Sequence, residues 1–489
     1  MGEPEGESGF IAERRQKLER LRSRGIDPFP HEFSDREDIA EVRQAHEGLA
    51  PGIEAESHHR VAGRLTARRG HGGAAFLDLR DGSGQIQLHA REDLLGPDAF
   101  ELLLELDLGD IVGVEGNAFA TRRGELSLTV TRWRLLAKSL RPPPDKFHGL
   151  EDVETRYRKR ELDLMANEAT RELFRIRART VAEVRRWLDE HGFVEVETPV
   201  MQPLYGGALA RPFSTHYNAL DRDFYLRIAT ELYLKRCVVG GIDRVYELGR
   251  DFRNEGISPK HNPEFTMLEW YEAYADYEKT ARDLELLVSE VAQWVLGTMQ
   301  IERDGETIDL TPPWRRVSLR EAIREHTGLD IAEHPTREAL AAAMESEPDP
   351  AEGWGKLVDG LLSKRVEPQL TRPTFVLDYP VELSPFAKAH RSEPGLVERW
   401  EAFVGGMEIA NSFSELNDPD EQRRRFEQQA EEIRRGDEEA QPYDEAFVEA
   451  LEQGMPPTGG VGLGIDRLVM ALSGASSLRQ TILFPAMRD

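Results

Sequence analysis

The stretch FRNEGISPKHNPEFTMLEWYEAY, residues 252–274, crowds cations, carboxylates and aromatic rings around one Ser-Pro-Lys-His-Asn-Pro turn. Its flanks, RVYELGRDFRN and EFTMLEWYEAY, have the composition of strands, and the Gly and Pro residues between them favour a loop, so a β-hairpin is expected. In the second strand Phe265, Met267, Glu269 and Tyr271 share parity and project from one face. A carboxylate among aromatics is expensive to bury unless a cation meets it, so Glu269 points to a cationic ligand. Arg253 and Glu255 stand where the first strand ends. A planar guanidinium there suits bidentate contact with a phosphate, and Lys260 and His261 suit the far phosphates of a polyphosphate. The competing reading of Arg253 is an ordinary cross-strand ion pair with a nearby glutamate.

A second cluster is EAFVGGMEIANSFSELND, residues 401–418. Glu401 and Glu408 are hard oxygen donors of the kind Mg²⁺ takes in ones and twos alongside substrate phosphates. Asn411, Phe413 and Glu415 share a face, and Glu408 falls on the other unless a bulge at Ala410–Ser412 changes the phase. An acidic edge strand is the competing reading. The third, TGGVGLGIDRLVM at 458–470, lacks the Gly-Lys-Ser/Thr of a phosphate loop and is no proper dinucleotide fingerprint. It reads as a Gly-rich strand entering a helix, which places Arg467 in the first turn, where an anion is favoured.

These clusters need a large scaffold. At 489 residues the chain is expected to form two or three domains. Its formal charge of -27 argues against a generic nucleic-acid binder, although phosphate contacts need only a local patch. The single cysteine, Cys237, excludes an internal disulfide framework and a multi-cysteine zinc site. No run approaches the roughly 20 apolar residues of a membrane span, and the N-terminus has no secretory pattern, so a cytoplasmic protein is expected. Residues 10–24 read as a helix with a basic face. From 58 to 139 the hydrophobic period becomes two, giving five strands with a helix, DAFELLLELD, before the fourth; this suits an OB-type barrel. The proline-rich SLRPPPDKFHGL reads as a stiff linker. Beyond it, helices at 167–191 and 278–297 and strands at 193–197, 244–253, 264–274, 374–378 and 403–417 read as α+β with an antiparallel sheet.

Taken together, GFVEVETPVMQ, FRNEGISPKHNPEFTMLEWY and GVGLGIDRLVM, with GGALARPF, RIATELYLKR, RPPPDKFHGL and EIANSFSELND between them, resemble the three ordered motifs of class II aminoacyl-tRNA synthetases, and closely those of the lysyl-tRNA synthetases of bacterial type. The resemblance covers nearly the whole chain. It implies an antiparallel-sheet catalytic domain preceded by an all-β OB-fold anticodon-binding barrel, divided as helical extension 1–57, barrel 58–139, linker 140–165 and catalytic domain 166–489. It implies a homodimer, ATP-dependent activation of L-lysine to lysyl-adenylate, and transfer to the 3′-terminal ribose of lysine tRNA.

The resemblance also implies roles. Arg253 would hold the α-phosphate, Glu255 would contribute to the ATP site, and Phe265 would stack on adenine. His261 and Arg467 would grip the β- and γ-phosphates, and Glu401 and Glu408 would bind Mg²⁺. Glu231, with Gly207 nearby, would hold the lysine α-amino group, and Glu269, Tyr271, Asn411 and Glu415 would form the side-chain pocket. In the barrel, Phe76, Gln87 and Glu125 would read the anticodon, by stacking and by hydrogen bonds to base edges; Phe76 as a core aromatic is the competing reading. Arg68, Arg69, Arg122 and Arg123 are candidates for phosphate contacts. The chain departs from the usual pattern at Thr230 (proline), Met407 (basic), Glu161 (aromatic) and Gln480 (acidic).

Two other readings compete: a synthetase-like enzyme that lysylates a protein, and a non-catalytic RNA-binding paralogue. Relatives of the first kind usually lack the barrel, and the second would need no intact phosphate-binding set.

Overall fold

The computed structural model describes residues 5–144, 150–256, 258–344, 353–434 and 440–487. The chain divides into two compact units, Met1–Glu151 and Asp152–Asp489.

The first unit opens with helices Glu5–Ser23 and Ile39–Ala45. Strands β1 (Glu54–His71), β2 (Ala74–Arg80), β3 (Gln85–Arg91), β4 (Ile111–Ala120) and β5 (Leu126–Ala137) close into a barrel in the order β1-β2-β3-β5-β4. Alternation turns Ala75, Leu77, Leu79, Ile86, Leu88, Val112, Val114, Leu128 and Val130 into one core. The expected interposed helix is Pro97–Glu105. Helix Ile39–Ala45 was not legible: it has seven residues and two buried apolar anchors, Ile39 and Val42. It is held instead by Asp81, which accepts the Ile39 N–H at 3.0 Å.

The expected linker, 140–165, shrinks. Residues 145–149 lie outside the described residues, and Val153–Arg158 and Arg160–Ala166 are helices of the second unit. Arg160 is the reason: buried, it pairs with Asp163 at 2.7 Å and donates to the carbonyls of Arg479, Ile482 and Leu483.

The second unit is built on an eight-stranded sheet. Its strands are β6 (Val194–Glu195), β10 (Arg244–Phe252), β11 (Glu264–Ala273), β14 (Arg315–Ser318), β15 (Thr374–Pro380), β16 (Leu396–Phe403), β17 (Glu408–Ser414) and β18 (Thr458–Gly464). Between them fall a small three-stranded sheet, β7 (Met201–Gln202), β8 (Ser214–Tyr217) and β9 (Arg222–Leu226), and a hairpin, β12 (Gln300–Arg303) and β13 (Glu306–Asp309). The main order is β14-β15-β16-β17-β18-β11-β10-β6, antiparallel except for its two edge pairs. Helices Glu168–Glu190, Tyr277–Leu296 and Ile465–Ser473 cover one face, burying Leu268, Trp270, Trp400, Val461 and Leu463. The other face carries the alternate residues.

The strand expected at 403–417 is really the second arm of a hairpin. Val404–Met407 turn through Gly405 (φ 61) and Gly406 (φ 69), the paired left-handed conformation a tight hairpin requires. Pairing slips from Ala402↔Ala410 to Phe403↔Glu408, leaving Ile409 as an extra residue. This bulge, one residue ahead of the position considered from sequence, brings Glu408 to the same side as Asn411.

Candidate active site

A cavity of about 370 Å³ lies on the face of the sheet opposite those helices. Gly207, Glu231, Arg253, Glu255, His261, Phe265, Glu269, Tyr271, Glu401, Glu408, Asn411, Glu415 and Arg467 all line it. Strand register accounts for the convergence. Glu401, Asn411, Gly462 and Glu269 pair in one row across β16, β17, β18 and β11, with Arg399, Phe413, Gly460 and Tyr271 in the next. Glycines on β18 leave the middle of both rows without side chains. At Gly460 a Cβ would collide with Glu415 Oε1 and Tyr271 Cε1, so those side chains occupy its place.

One end of the cavity is anionic. Glu269 is buried, accepting the Thr230 backbone N–H at 3.1 Å and the Tyr271 hydroxyl at 3.1 Å. Burial, then Asp251 and Glu231, push its pKa up to about 8. Glu231 opens helix Glu231–Val239 and pairs with Lys235 one turn on, at 2.6 Å; Lys235 also pairs with Glu415 at 2.5 Å. Gly207 sits at φ 89, a conformation glycine adopts freely, and its N–H donates to Gln441 Oε1 at 3.0 Å while the Gln441 amide donates to the Ala208 carbonyl.

The other end is cationic. Arg253 stacks 5.0 Å over the Phe265 ring, and its Nε is buried without a hydrogen-bond partner. Among the described residues no carboxylate pairs with it, so the cross-strand ion-pair reading is not the one realised. Arg467 donates to Glu408 Oε2 at 2.7 Å. Burial alone would raise the pKa of Glu408, but Arg467, with Arg399 and Arg253, outweighs it and lowers the value. His261 bonds Ser258 Oγ through Nδ1 at 2.8 Å, and burial followed by Arg467 lowers its pKa. Lys260 is engaged by Glu367 at 2.5 Å, and Glu255 is exposed at the rim.

Three residues central to this arrangement were not singled out from sequence: Lys235, Arg399 and Gln441. Lys235 had a signal, its i,i+4 spacing from Glu231. Arg399 stacks 4.5 Å over Tyr379, pairs with Glu401 at 2.6 Å and donates to Asn411 Oδ1 at 3.1 Å. An arginine only donates, so this bond fixes the Asn411 amide with its oxygen toward Arg399 and leaves the Nδ2 hydrogens for a ligand acceptor. Burial, then Glu408 and Asp359 acting against Arg399, push Glu401 up to about 7.

In the barrel, Phe76 faces outward beside the core residues Ala75 and Leu77, half-buried, stacked on His89 at 4.6 Å between centroids and 11°. His89 in turn leans on Phe119. Gln87 accepts the Ser127 hydroxyl at 3.0 Å and, with Glu125, Arg43 and Arg69, lines a shallow hollow. Arg68, itself exposed, donates through Nη1 to the carbonyls of Leu104 and Leu106 at the end of the helix Pro97–Glu105, so part of its guanidinium is already engaged. Arg69, Arg122 and Arg123 are exposed.

Residues 152–488 match the model of the tRNA synthetases class II (D, K and N). This chain belongs to that family. Residues 59–136 match the OB-fold nucleic acid binding domain. The chain is 51% identical over 487 residues to a lysine--tRNA ligase of Moorella thermoacetica, covering 99% of each. It is 51% identical to one of Dehalococcoides mccartyi, covering 98% of this chain and 97% of that protein. It is 50% identical to one of Pelotomaculum thermopropionicum, covering 100% and 96%. As a class II synthetase it is a ligase, with the α+β catalytic domain and OB-fold barrel its motifs led one to expect. Its departures from the family pattern are accommodated: Met407 is buried in the core, Gln480 accepts the Ser476 N–H at 2.9 Å, and Glu161 is exposed. Thr230 supplies the N–H to Glu269 that a proline lacks. Among the described residues no helix is long and apolar enough to cross a membrane.

Proposed function

We propose that the chain is a lysine--tRNA ligase that activates L-lysine with ATP, releases pyrophosphate and esterifies the 3′-terminal ribose of lysine tRNA. The observation that carries this reading is the polarity of one cavity, with Glu231, Glu269 and Glu415 at one end and, at the other, Arg467 and an Arg253 that pairs with no carboxylate among the described residues. An ammonium about 4 Å from one carboxylate gains on the order of 4 kcal/mol at an effective dielectric of 20, enough to exclude neutral side chains and repel aspartate. In this reading Glu269, Tyr271 and Glu415 hold the lysine ε-ammonium and Glu231 beside Gly207 the α-amino group. Asn411, which lines the cavity and has its amide oxygen held by Arg399, moves in this reading from the side-chain pocket to the α-carboxylate.

The substrate carboxylate is ionised near neutral pH, so no side-chain base is needed. It attacks the α-phosphorus of ATP while Arg253 stabilises the developing charge, Phe265 stacks on adenine, and His261, Glu255 and Arg467 orient the phosphates. Among the described residues no three metal-binding side chains converge, but Glu401 and Glu408 supply the two carboxylates that Mg²⁺ takes beside phosphates, and their mutual repulsion suits a cation. Bound there, Mg²⁺ would neutralise phosphate charge.

Phe76, Gln87 and Glu125 form the anticodon-reading face, on a barrel within 58–139. The exposed apolar Val194, Val200 and Met201 support a homodimer, and the translation role a cytoplasmic location. ATP–pyrophosphate exchange with each amino acid, followed by charging of lysine tRNA, tests the whole reading. Lysine-dependent exchange with charging is expected; exchange without charging would make the chain a protein-lysylating enzyme.

A further inference from the structure

Lys235 is fully buried, with Nζ 2.6 Å from Glu231 Oε1, 2.5 Å from Glu415 Oε2 and 5.2 Å from the centre of the Phe386 ring. Burial alone would lower its pKa, but the two carboxylates raise it above the usual lysine value, so it is an ammonium. Three carboxylates, Glu231, Glu269 and Glu415, therefore line the amino-acid end of the cavity, and one resident cation is packed behind two of them. Glu269 differs from the other two: among the described residues its carboxylate accepts only from the Thr230 N–H and the Tyr271 hydroxyl, with no cation at ion-pair distance.

We infer that Lys235 is a built-in counter-ion that sets the charge count of the pocket, neutralising one of the three carboxylates so that two negative charges remain for a ligand carrying two ammonium groups. The inference rests on the reading of that ligand as lysine. A ligand with a single ammonium leaves one buried carboxylate uncompensated, which disfavours apolar amino acids of the same length. Without Lys235 a third charge is exposed and Glu415 loses the partner that holds it beside Tyr271. Lys235 is thus a positioning residue; it does not touch the reacting atoms.

The test uses the full chain carrying Lys235→Ala or Lys235→Met in lysine-dependent ATP–pyrophosphate exchange. Both variants are expected to raise KM for lysine by at least about tenfold, with a smaller change in kcat and unchanged ATP affinity, because one partner of a buried pair is gone. Methylammonium or ethylammonium should lower the KM of the alanine variant in a saturable way by filling the vacated position. The methionine variant, whose side chain fills that volume, should not respond. A lysine KM equal to wild type in either variant overturns the inference. So does an alanine variant with intact ATP binding and a raised KM that no alkylammonium lowers. If the alanine variant does not fold, the methionine variant decides on its KM and ATP affinity alone. Wild-type chain that fails to activate lysine refutes the ligase reading instead.

Discussion

The backbone N–H of Thr230 donates to Glu269 Oε1 at 3.1 Å. With the Tyr271 hydroxyl on Oε2, both oxygens of the carboxylate are tethered, and its direction into the cavity is set before any ligand arrives.

Glu269→Gln keeps the Thr230 tether through its one amide oxygen, and its NH₂ can donate to the Tyr271 hydroxyl oxygen in place of the bond it accepted, but it removes the charge. Lysine activation should fall by roughly 10²- to 10³-fold, the effect of removing one side of a buried charge pair, with ATP affinity unchanged. Pyrophosphate exchange and nucleotide titration check this; an unchanged lysine response removes Glu269 from the pocket.

The raised pKa of Glu269 makes a pH prediction with a definite sign. Its folded value, about 8, lies above the ordinary 4.5, so its contribution to stability is present at low pH and is lost as pH rises toward 8. The ligand-free chain should lose Tm over that window, and Glu269→Gln should flatten the loss. Ammonium binding needs the ionised form, so lysine binding near neutral pH should release a proton. Calorimetry in buffers of different ionisation enthalpy measures that release.

Asn411→Asp separates two placements of the ligand. Arg399 occupies the amide oxygen, which leaves the Nδ2 hydrogens for a ligand acceptor. If the lysine α-carboxylate sits there, Asn411→Asp repels it and should reduce kcat/KM more than Asn411→Ala does. The reverse order in a kinetic comparison would return Asn411 to the ammonium pocket.

Two neighbouring glycines should respond differently to alanine. At Gly460 the new methyl collides with Glu415 and Tyr271, so stability and activity should both fall. At Gly462 the nearest atoms are Met267 Sδ at 3.9 Å and Glu269 Cγ at 4.0 Å, so Tm should hold while KM for lysine rises. Thermal melts beside exchange kinetics distinguish them.

Phe76 lies outside the barrel core, so Phe76→Leu should leave amino-acid activation intact while raising the KM for lysine tRNA. Loss of one stacked base is worth about 1–3 kcal/mol, roughly 5- to 150-fold. Equal charging by both proteins would remove Phe76 from the anticodon face.

The elements legible in the sequence were those with a strong period: the barrel strands, the helices now seen at Glu168–Glu190 and Tyr277–Leu296, and the hairpin around 252–274. The shared faces of Phe265, Met267, Glu269 and Tyr271 and of Asn411, Phe413 and Glu415 were legible too, but the bulge position and the long-range pairings were not. Glu408 reaches the cavity through a bulge at Ile409 that no local pattern announces. Gln441 meets Gly207 across more than two hundred residues, and Arg399 fixes Asn411 from a neighbouring strand. Such partners follow from strand order and register, which are properties of the folded sheet.

Strand β18 has one further consequence. Where Gly460 and Gly462 line the cavity, the protein offers bare main chain, whose identity no substitution can alter except by adding bulk. Any effort to retailor the enzyme for an unnatural amino acid must therefore work from the flanking strands, trimming or recharging Tyr271, Phe413 or Glu269. Enlargement at the base is closed to the engineer, and the depth of the pocket is as fixed as the spacing of the sheet.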